Sequence, residues 1–290
     1  MKSCLFQDES DIQSMRDLIA RLPQKSTAID FEETIQLDSI RARTRLWKND
    51  RQLIGFAYVD DFNNLRFEVE PQFRSAQLED EIIAWGLGCM KKRNAETGQN
   101  DTLDASFLIE NAWQVTLLQR SGFVQENLRF LHYARTLNEP IPEHPLPPGF
   151  SLRCVKGEDE VENLVTLHRA AFGTENMTVE ERLAIMRAPQ YERELDLLAI
   201  APNGELAAFC ICGIENKNIG YTDPIGVHKN YQRLGLGKAV LGAGLQALKQ
   251  RGIERAELGT SSENIAMQQL ATTMGFVVIS ESLWFSKKVG

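Results

Sequence analysis

The run from Asp223 to Lys238 reads DPIGVHKNYQRLGLGK, and it holds the chain's strongest chemical signal. Its centre is Gln232, Arg233, Leu234, Gly235, Leu236 and Gly237, followed by Lys238. An apolar stretch comes before it. A stretch with Leu241, Leu245 and Leu248 on one helical face comes after it. The pattern predicts a strand, a short turn and the opening of a helix. The first N–H groups of a helix have no partner within it and lie at the positive end of its dipole. Glycines there let a diphosphate reach those amides unobstructed. Lys229, Arg233 and Lys238 add cations nearby. A Gly-x-Gly pair alone marks many helix starts. The strand before it, the helix after it, and Gly242 and Gly244 further along give this one its weight.

The other reactive residue types form no comparable pattern. Cys4, Cys89, Cys154, Cys210 and Cys212 are odd in number and irregular in spacing. Cys210 and Cys212 would share one face of a strand and read as small buried hydrophobes rather than metal or redox residues. His132, His144, His168 and His228 make no ligand-spaced pair, so no metal site is expected.

The elements that must position the glycine loop follow from periodicity and punctuation. Asn138 to Phe150 reads NEPIPEHPLPPGF and contains five of the chain's ten prolines. Proline lacks the N–H that helix interiors and central strands need, so this stretch reads as a stiff linker. After it come a strand at 151–156 and helices at 159–172 and 178–188. Strands follow at 195–201, 206–214 and 219–228. A helix at 235–251, a strand at 253–260, a helix at 264–274 and one or two closing strands at 276–287 complete the order. The 206–214 strand is apolar on both alternating faces, as in a strand covered on both sides. The first half repeats this order. Leu53–Phe56 aligns with Leu206–Phe209, Val69–Arg74 with Val227–Gln232, and Asn111 and Gly122-Phe123 with Asn264 and Gly275-Phe276. Three matches in order favour an internal duplication over coincidence among α/β patterns.

Composition bounds the rest. The 290 residues are 43% hydrophobic and 25% charged, enough for two modest cores. The net charge of −8 is spread over both halves, with 17 basic and 22 acidic residues in 1–139 and 15 and 18 in 140–290. A nucleic-acid partner is therefore not expected. No apolar run is long enough to cross a bilayer, and the first ten residues lack the pattern of a secretory signal, so no membrane partner and a cytoplasmic location are expected.

Gln232 to Gly237, after a strand and opening a helix, resembles the acyl-CoA signature of the GNAT superfamily, Gln/Arg-x-x-Gly-x-Gly/Ala. Asn264, Leu270 and Gly275-Phe276 are similar to the superfamily's Asn…Leu-Tyr…Gly-Phe helix. The resemblance covers residues 150–290 and extends, in degenerate form, to 1–139. The tandem arrangement looks like that of mycothiol synthase and other two-domain members. It implies an α/β protein of two tandem GNAT-like domains, each a mixed, mostly antiparallel central sheet flanked by helices. Residues 1–139 would be the degenerate domain without acyl-CoA, 140–149 the linker, and 150–290 the domain with the acyl-CoA site. The implied reaction moves an acetyl group from acetyl-CoA to a primary amine of a small acceptor, without a metal. An acyl-CoA sensor or scaffold with little catalysis is the alternative. Backbone amides of Gln232, Arg233, Leu234, Gly235, Leu236, Gly237 and Lys238 would hold the diphosphate. Ile225, Gly226 and Val227 would line the pantetheine arm and thioester, and Asn264 would stand at the cofactor's edge. Family members open a slot between this strand and the next. Pro224, unable to donate to a ladder, marks either a bulge there or a strand end.

Two departures qualify these expectations. The tyrosine that often serves as general acid is replaced by Ala271, and its counterpart in the first half is Leu118. Asp223 is the family-matched candidate for the general base, though Asp-Pro also starts turns. Tyr221, Ser261 and Ser262 are possible substitutes for the missing acid. In the first half Gly235 aligns with Gln77 and Gly237 with Glu79, which puts a carboxylate where the diphosphate would lie.

Overall fold

The computed structural model describes residues 2–22, 28–50 and 52–290. The chain forms two compact units, one of residues up to Arg129 with Ser282–Gly290, the other of Phe130–Glu281. Each is a mixed α/β layer structure with mostly antiparallel strands.

In the second unit, strands Ser151–Cys154, Asp196–Ile200, Leu206–Ile214 and Ile219–Val227 pair antiparallel in that order. Ile219–Val227 then runs parallel to Arg255–Ser261. Arg255–Ser261 is paired on its other side, antiparallel, with Phe130–Thr136, the end of strand Val124–Thr136. A strand that precedes the proline-rich segment therefore extends this sheet. Ala207 to Gly213 are buried, as expected of a strand covered on both sides. Helix Leu236–Gln250 covers one face. A Cβ on its Gly244 would lie 2.5 Å from the Cys212 sulfur, and the Cys210 and Cys212 sulfurs lie 3.5 Å apart in the same core. Both are free and buried, as small hydrophobes. Helix Val161–Phe172 covers the other face, with Leu164 and Leu167 against Phe209 and Ile211. Helix Val179–Arg187 begins with a capping box, Thr178 with Glu181, and stops ahead of Pro189.

The proline-rich segment forms neither helix nor strand between Thr136 and Ser151, as its prolines dictate. It is not a free spacer, however. Ile141 is 8% exposed and belongs to the core, with Leu146 and Phe150 packed against it. The buried Arg135 guanidinium ties it down, donating to the Pro140 carbonyl at 3.2 Å and to the Met274 carbonyl at the end of helix Ile265–Thr273. Burial holds this guanidinium's pKa below its usual range.

In the first unit, Lys2–Leu5, Thr44–Asn49, Gln52–Val59 and Leu65–Val69 form an antiparallel sheet in that order. Leu103–Leu108 pairs antiparallel with Leu283 and its neighbours, from Ser282 to Lys287. Helix Glu9–Arg21 packs in one core with Phe31 and Phe56, and helix Ala76–Thr97 in another with Phe67, Leu103 and Phe285. The aligned segments of the two halves fall on the same elements. Val69 and Val227 each end a strand before a 3₁₀ turn, Pro71–Phe73 or Lys229–Tyr231. Asn111 and Asn264 each precede a short helix, and Gly122 and Gly275 each take positive φ after it, 77° and 82°. The duplication read from three short matches thus extends to the order of elements.

The strand Phe130–Thr136 makes seven residue pairs with Arg255–Ser261, and Tyr133 and the following Leu137 are 4% and 1% exposed. Burying side chains of this size is worth about 1.5–3 kcal/mol each, a large share of the ~5–15 kcal/mol that stabilises a domain. A chain that starts at residue 140 is therefore expected to lose cooperative thermal unfolding by calorimetry, while the full chain keeps it. A sharp transition at the full chain's Tm in the truncated protein would contradict this.

Candidate functional site

The ladder between Ile219–Val227 and Arg255–Ser261 is short. Ile219, Gly220 and Tyr221 pair with Arg255, Ala256 and Glu257, and pairing stops there, although both strands continue. Parallel neighbours that part in this way leave a slot with backbone groups along its edges. On the strand's other side, Thr222 lies opposite Cys212 and Ile225 opposite Cys210. Two residues, Asp223 and Pro224, thus oppose Ile211 alone. This is a β-bulge within the strand, so Pro224 marks a bulge and not a strand end. The extra residue also breaks the alternation. Ile225 and Val227 pack with the core beneath helix Leu236–Gln250, whereas Tyr221 lies on the opposite face. Its hydroxyl would stand 2.2 Å from a Cβ on Gly213, its partner on the neighbouring strand. The Tyr221 ring therefore leans away from the slot. Asp223 is exposed at the bulge.

Beyond Val227 the chain turns sharply. The His228 N–H donates to the Ala207 carbonyl at 2.9 Å, and a 3₁₀ turn spans Lys229–Tyr231. Gln232 is extended, and its side-chain amide donates to the Val227 carbonyl at 3.4 Å. Arg233 has φ 63° and Gly235 has φ 86°, so the backbone winds left-handed twice before the helix begins at Leu236. A side chain at Gly235 would be strained by that backbone, while the space around a Cβ there is open for 4 Å. A Cβ on Gly237 would make only ordinary contacts, 3.5 Å from Leu270 and Val227. Packing therefore forces neither glycine, and both leave the approach to the helix end clear. No side chain caps this helix. The N–H groups of its first turn, with Leu236 buried and Lys238 half-buried, remain available to an anion. Arg233 and Leu234 are exposed on the loop.

Asn264 is exposed and caps the next helix, its amide oxygen accepting from the Met267 N–H at 3.1 Å. Ala271 is fully buried in the core, so no proton donor stands at that position. The Ser261 hydroxyl accepts from the Glu263 N–H at 3.1 Å, and the Ser262 carbonyl accepts from Gln268.

The matching place in the first unit is built differently. Ser75 caps helix Ala76–Thr97 by accepting from the Leu78 N–H. Glu79 is buried and accepts from the Trp113 indole at 2.6 Å and from Arg120. Arg74 stacks on Trp113, 3.9 Å from the ring centre. The helix end is filled from within.

Sequence reasoning missed a buried polar group beneath helix Val179–Arg187. Arg182 pairs with Asp196, which also accepts from the Tyr191 hydroxyl at 2.8 Å. Burial pushes the Asp196 carboxyl and the Tyr191 phenol up. Arg182 sits on an ordinary helix and Asp196 opens an apolar strand, so neither carries a local signal. His168 lies nearby on helix Val161–Phe172, stacked on Phe209 at 5.6 Å and beside Phe172 at 4.6 Å. Burial, assisted by the Arg182 charge, lowers its pKa from 6.5 to about 4.

Comparison with known proteins places these features in a family context. Residues 161–276 match the acetyltransferase (GNAT) family. A mycothiol acetyltransferase of Arthrobacter sp. (strain FB24) is 25% identical over 263 residues, 83% of this chain and 76% of its own length. A tandem GNAT protein from the clavulanic acid biosynthesis pathway, solved without AcCoA, superposes with a TM-score of 0.72 at 14% identity, covering 99% of this chain and 98% of its own. A GCN5-related N-acetyltransferase from Sphaerobacter thermophilus gives 0.70 at 18% identity, covering 99% and 95%. The likeness to these two structures is one of fold. Among the described residues, no helix is long and apolar enough to cross a membrane.

His168 predicts an acid-sensitive stability. Its folded pKa lies below that of the unfolded chain, so between about 4 and 6.5 the unfolded state binds more protons. Its neutral packing is retained above 6.5 and lost as pH falls through that window. In His168→Gln the drop in Tm from pH 7.5 to pH 4.5 should be smaller than in the wild type. An equal drop in both proteins would contradict the half-buried neutral imidazole.

Proposed function

We propose that this chain, whose residues 161–276 form a domain of the GNAT acetyltransferase family, transfers the acetyl group of acetyl-CoA to a primary amine of a small acceptor. The observation that carries the reading is an uncapped helix end behind Gly235 and Gly237, next to a strand that parts from its neighbour at Tyr221. The amides from Gln232 to Lys238 hold the diphosphate, and Arg233 and Lys238 add charge. Ile225, Gly226 and Val227 offer the slot's edge to the pantetheine arm and the thioester carbonyl, with Asn264 at its border. The amine attacks the thioester carbon, a C–N bond forms, the C–S bond breaks, and coenzyme A leaves as the thiol. An ammonium must first lose a proton, and Asp223, exposed at the bulge, is the base, directly or through one water. Tyr221 is the less favoured proton donor because its hydroxyl lies over Gly213. The thiolate then leaves unassisted or takes a proton from solvent.

Residues 150–290 are read as the catalytic domain and 1–139 as architectural, apart from Phe130–Thr136, which pairs with Arg255–Ser261. The Ser75 cap and the Trp113–Glu79–Arg120 group in the first unit support one acyl-CoA per chain. A second reading, an acyl-CoA sensor with little turnover, is favoured by the buried Ala271 alone. Release of free thiol in the presence of a panel of amines separates the two. No metal enters either reading.

Calorimetry should therefore give one acetyl-CoA site per chain, abolished in Gly237→Glu, whose carboxylate would meet the diphosphate. Two equal sites, or full affinity in the variant, would sink the assignment. Asp223→Asn should lower turnover on the order of a hundredfold with acetyl-CoA affinity nearly unchanged. Near-normal turnover across the pH range would remove Asp223 as base.

A further inference from the structure

Helix Leu236–Gln250 shields one face of the slot, where Ala256 and Leu258 join its core. An acceptor must therefore come from the other face. Helix Val161–Phe172 borders that face on one side. A Cβ on Gly226 would lie 2.4 Å from the Phe209 ring and 2.9 Å from Ala171, and Phe172 at the helix end is 43% exposed. Across the slot, strand Arg255–Ser261 turns Leu258 into the core and Gly259 to the open face. A Cβ on Gly259 would stand 2.2 Å from the Phe130 ring, so only glycine admits that ring. His132 is the direct cross-strand partner of Gly259, and its imidazole lies edge-on to Phe130 at 5.3 Å. Both rings are half-buried. The result is a trough with the helix and its aromatic residues on one bank and Phe130 and His132 on the other, above two glycines and the slot.

Elements packed beside His132 carry charged groups. Glu257, on the same face of the adjacent strand, is held by Arg255 at 2.7 Å. Arg135, three residues on, binds the Met274 and Pro140 carbonyls. The strand bordering on the other edge carries Glu281. Asp223 stands across the slot. Imidazole is the side chain that ordinarily exchanges a proton near neutral pH, which suits it to take one from the attacking nitrogen and pass it on.

We propose that His132, brought to this sheet by strand Val124–Thr136, is a catalytic residue that receives the proton the amine nitrogen releases as it attacks, after Asp223 has taken the first proton from the ammonium. The inference rests on the acetyl-transfer reading. The neutral amine nitrogen bonds to the acetyl carbon, its remaining excess proton passes to the imidazole, the C–S bond breaks, and the imidazolium returns that proton to solvent, from which the thiolate takes one. The catalytic unit thereby depends on a residue from the first half of the sequence, a dependence that no family motif signals.

The test uses the full chain and a bisubstrate probe, coenzyme A S-alkylated with N-ethylacetamide, whose amide N–H stands where the amine's proton leaves. The His132 imidazole resonance, assigned by its loss in His132→Gln, should shift on adding the probe and stay nearly still with coenzyme A alone. The affinity for the probe should fall about tenfold in His132→Gln, the worth of one hydrogen bond, with coenzyme A affinity unchanged. An unmoved resonance or an unchanged probe affinity, with the probe bound, overturns the role of His132 and leaves the acetyl-CoA site standing. Failure of both probe and coenzyme A to bind overturns the acetyl-transfer reading and this inference with it.

Discussion

A helix that starts without a capping side chain leaves several N–H groups to be satisfied by something outside it. Helix Leu236–Gln250 starts in this way, after a backbone that turns left-handed at Arg233 and Gly235. The rest of the site follows from keeping that end exposed, electropositive and beside a slot. The bulge at Asp223-Pro224 shifts the register of Ile219–Val227, and the ladder to Arg255–Ser261 ends at Tyr221 and Glu257. The strand is thus held firmly by Leu206–Ile214 on one side and set free on the other. A fully paired sheet would offer an anion site at the helix end but no channel leading from it.

The first unit shows what the same plan becomes when this constraint is relaxed. Its helix Ala76–Thr97 begins two positions earlier in the alignment and is capped by Ser75. Glu79 is held by the Trp113 indole and by Arg120, and Arg74 covers the ring. The Leu78 and Glu79 N–H groups both donate to Ser75. These contacts hold the unit together at the place where its counterpart stays open. The same order of elements thus carries an open helix end in one unit and a packed one in the other.

Much of this was legible in residue order. The glycine loop, the alternation of elements, the buried faces of Cys210 and Cys212 and the loss of a donor at Ala271 all depend on patterns within a dozen residues. The duplication was readable because Val69–Arg74 and Val227–Gln232 preserve the strand end and turn, even where the glycines are gone. Pairing across long separations was not readable. Nothing in the local pattern of Phe130–Thr136 tells whether it joins Arg255–Ser261 or a strand of its own half. For the same reason His132 read as an isolated histidine, and Ile141 and Arg135 gave no sign that the proline-rich segment is packed. At Pro224 the sequence allowed a bulge or a strand end, and only the register against Cys210 and Cys212 separates them.

Amide hydrogen exchange of the full chain with and without acetyl-CoA tests the central claim most directly, because it reads the backbone donors themselves. The account predicts that acetyl-CoA slows exchange at Ile225–Val227 and at Gly235–Lys238, and leaves the Ser75–Glu79 amides unchanged. Slowing at Ser75–Glu79 of comparable size, or none at Gly235–Lys238, would contradict it.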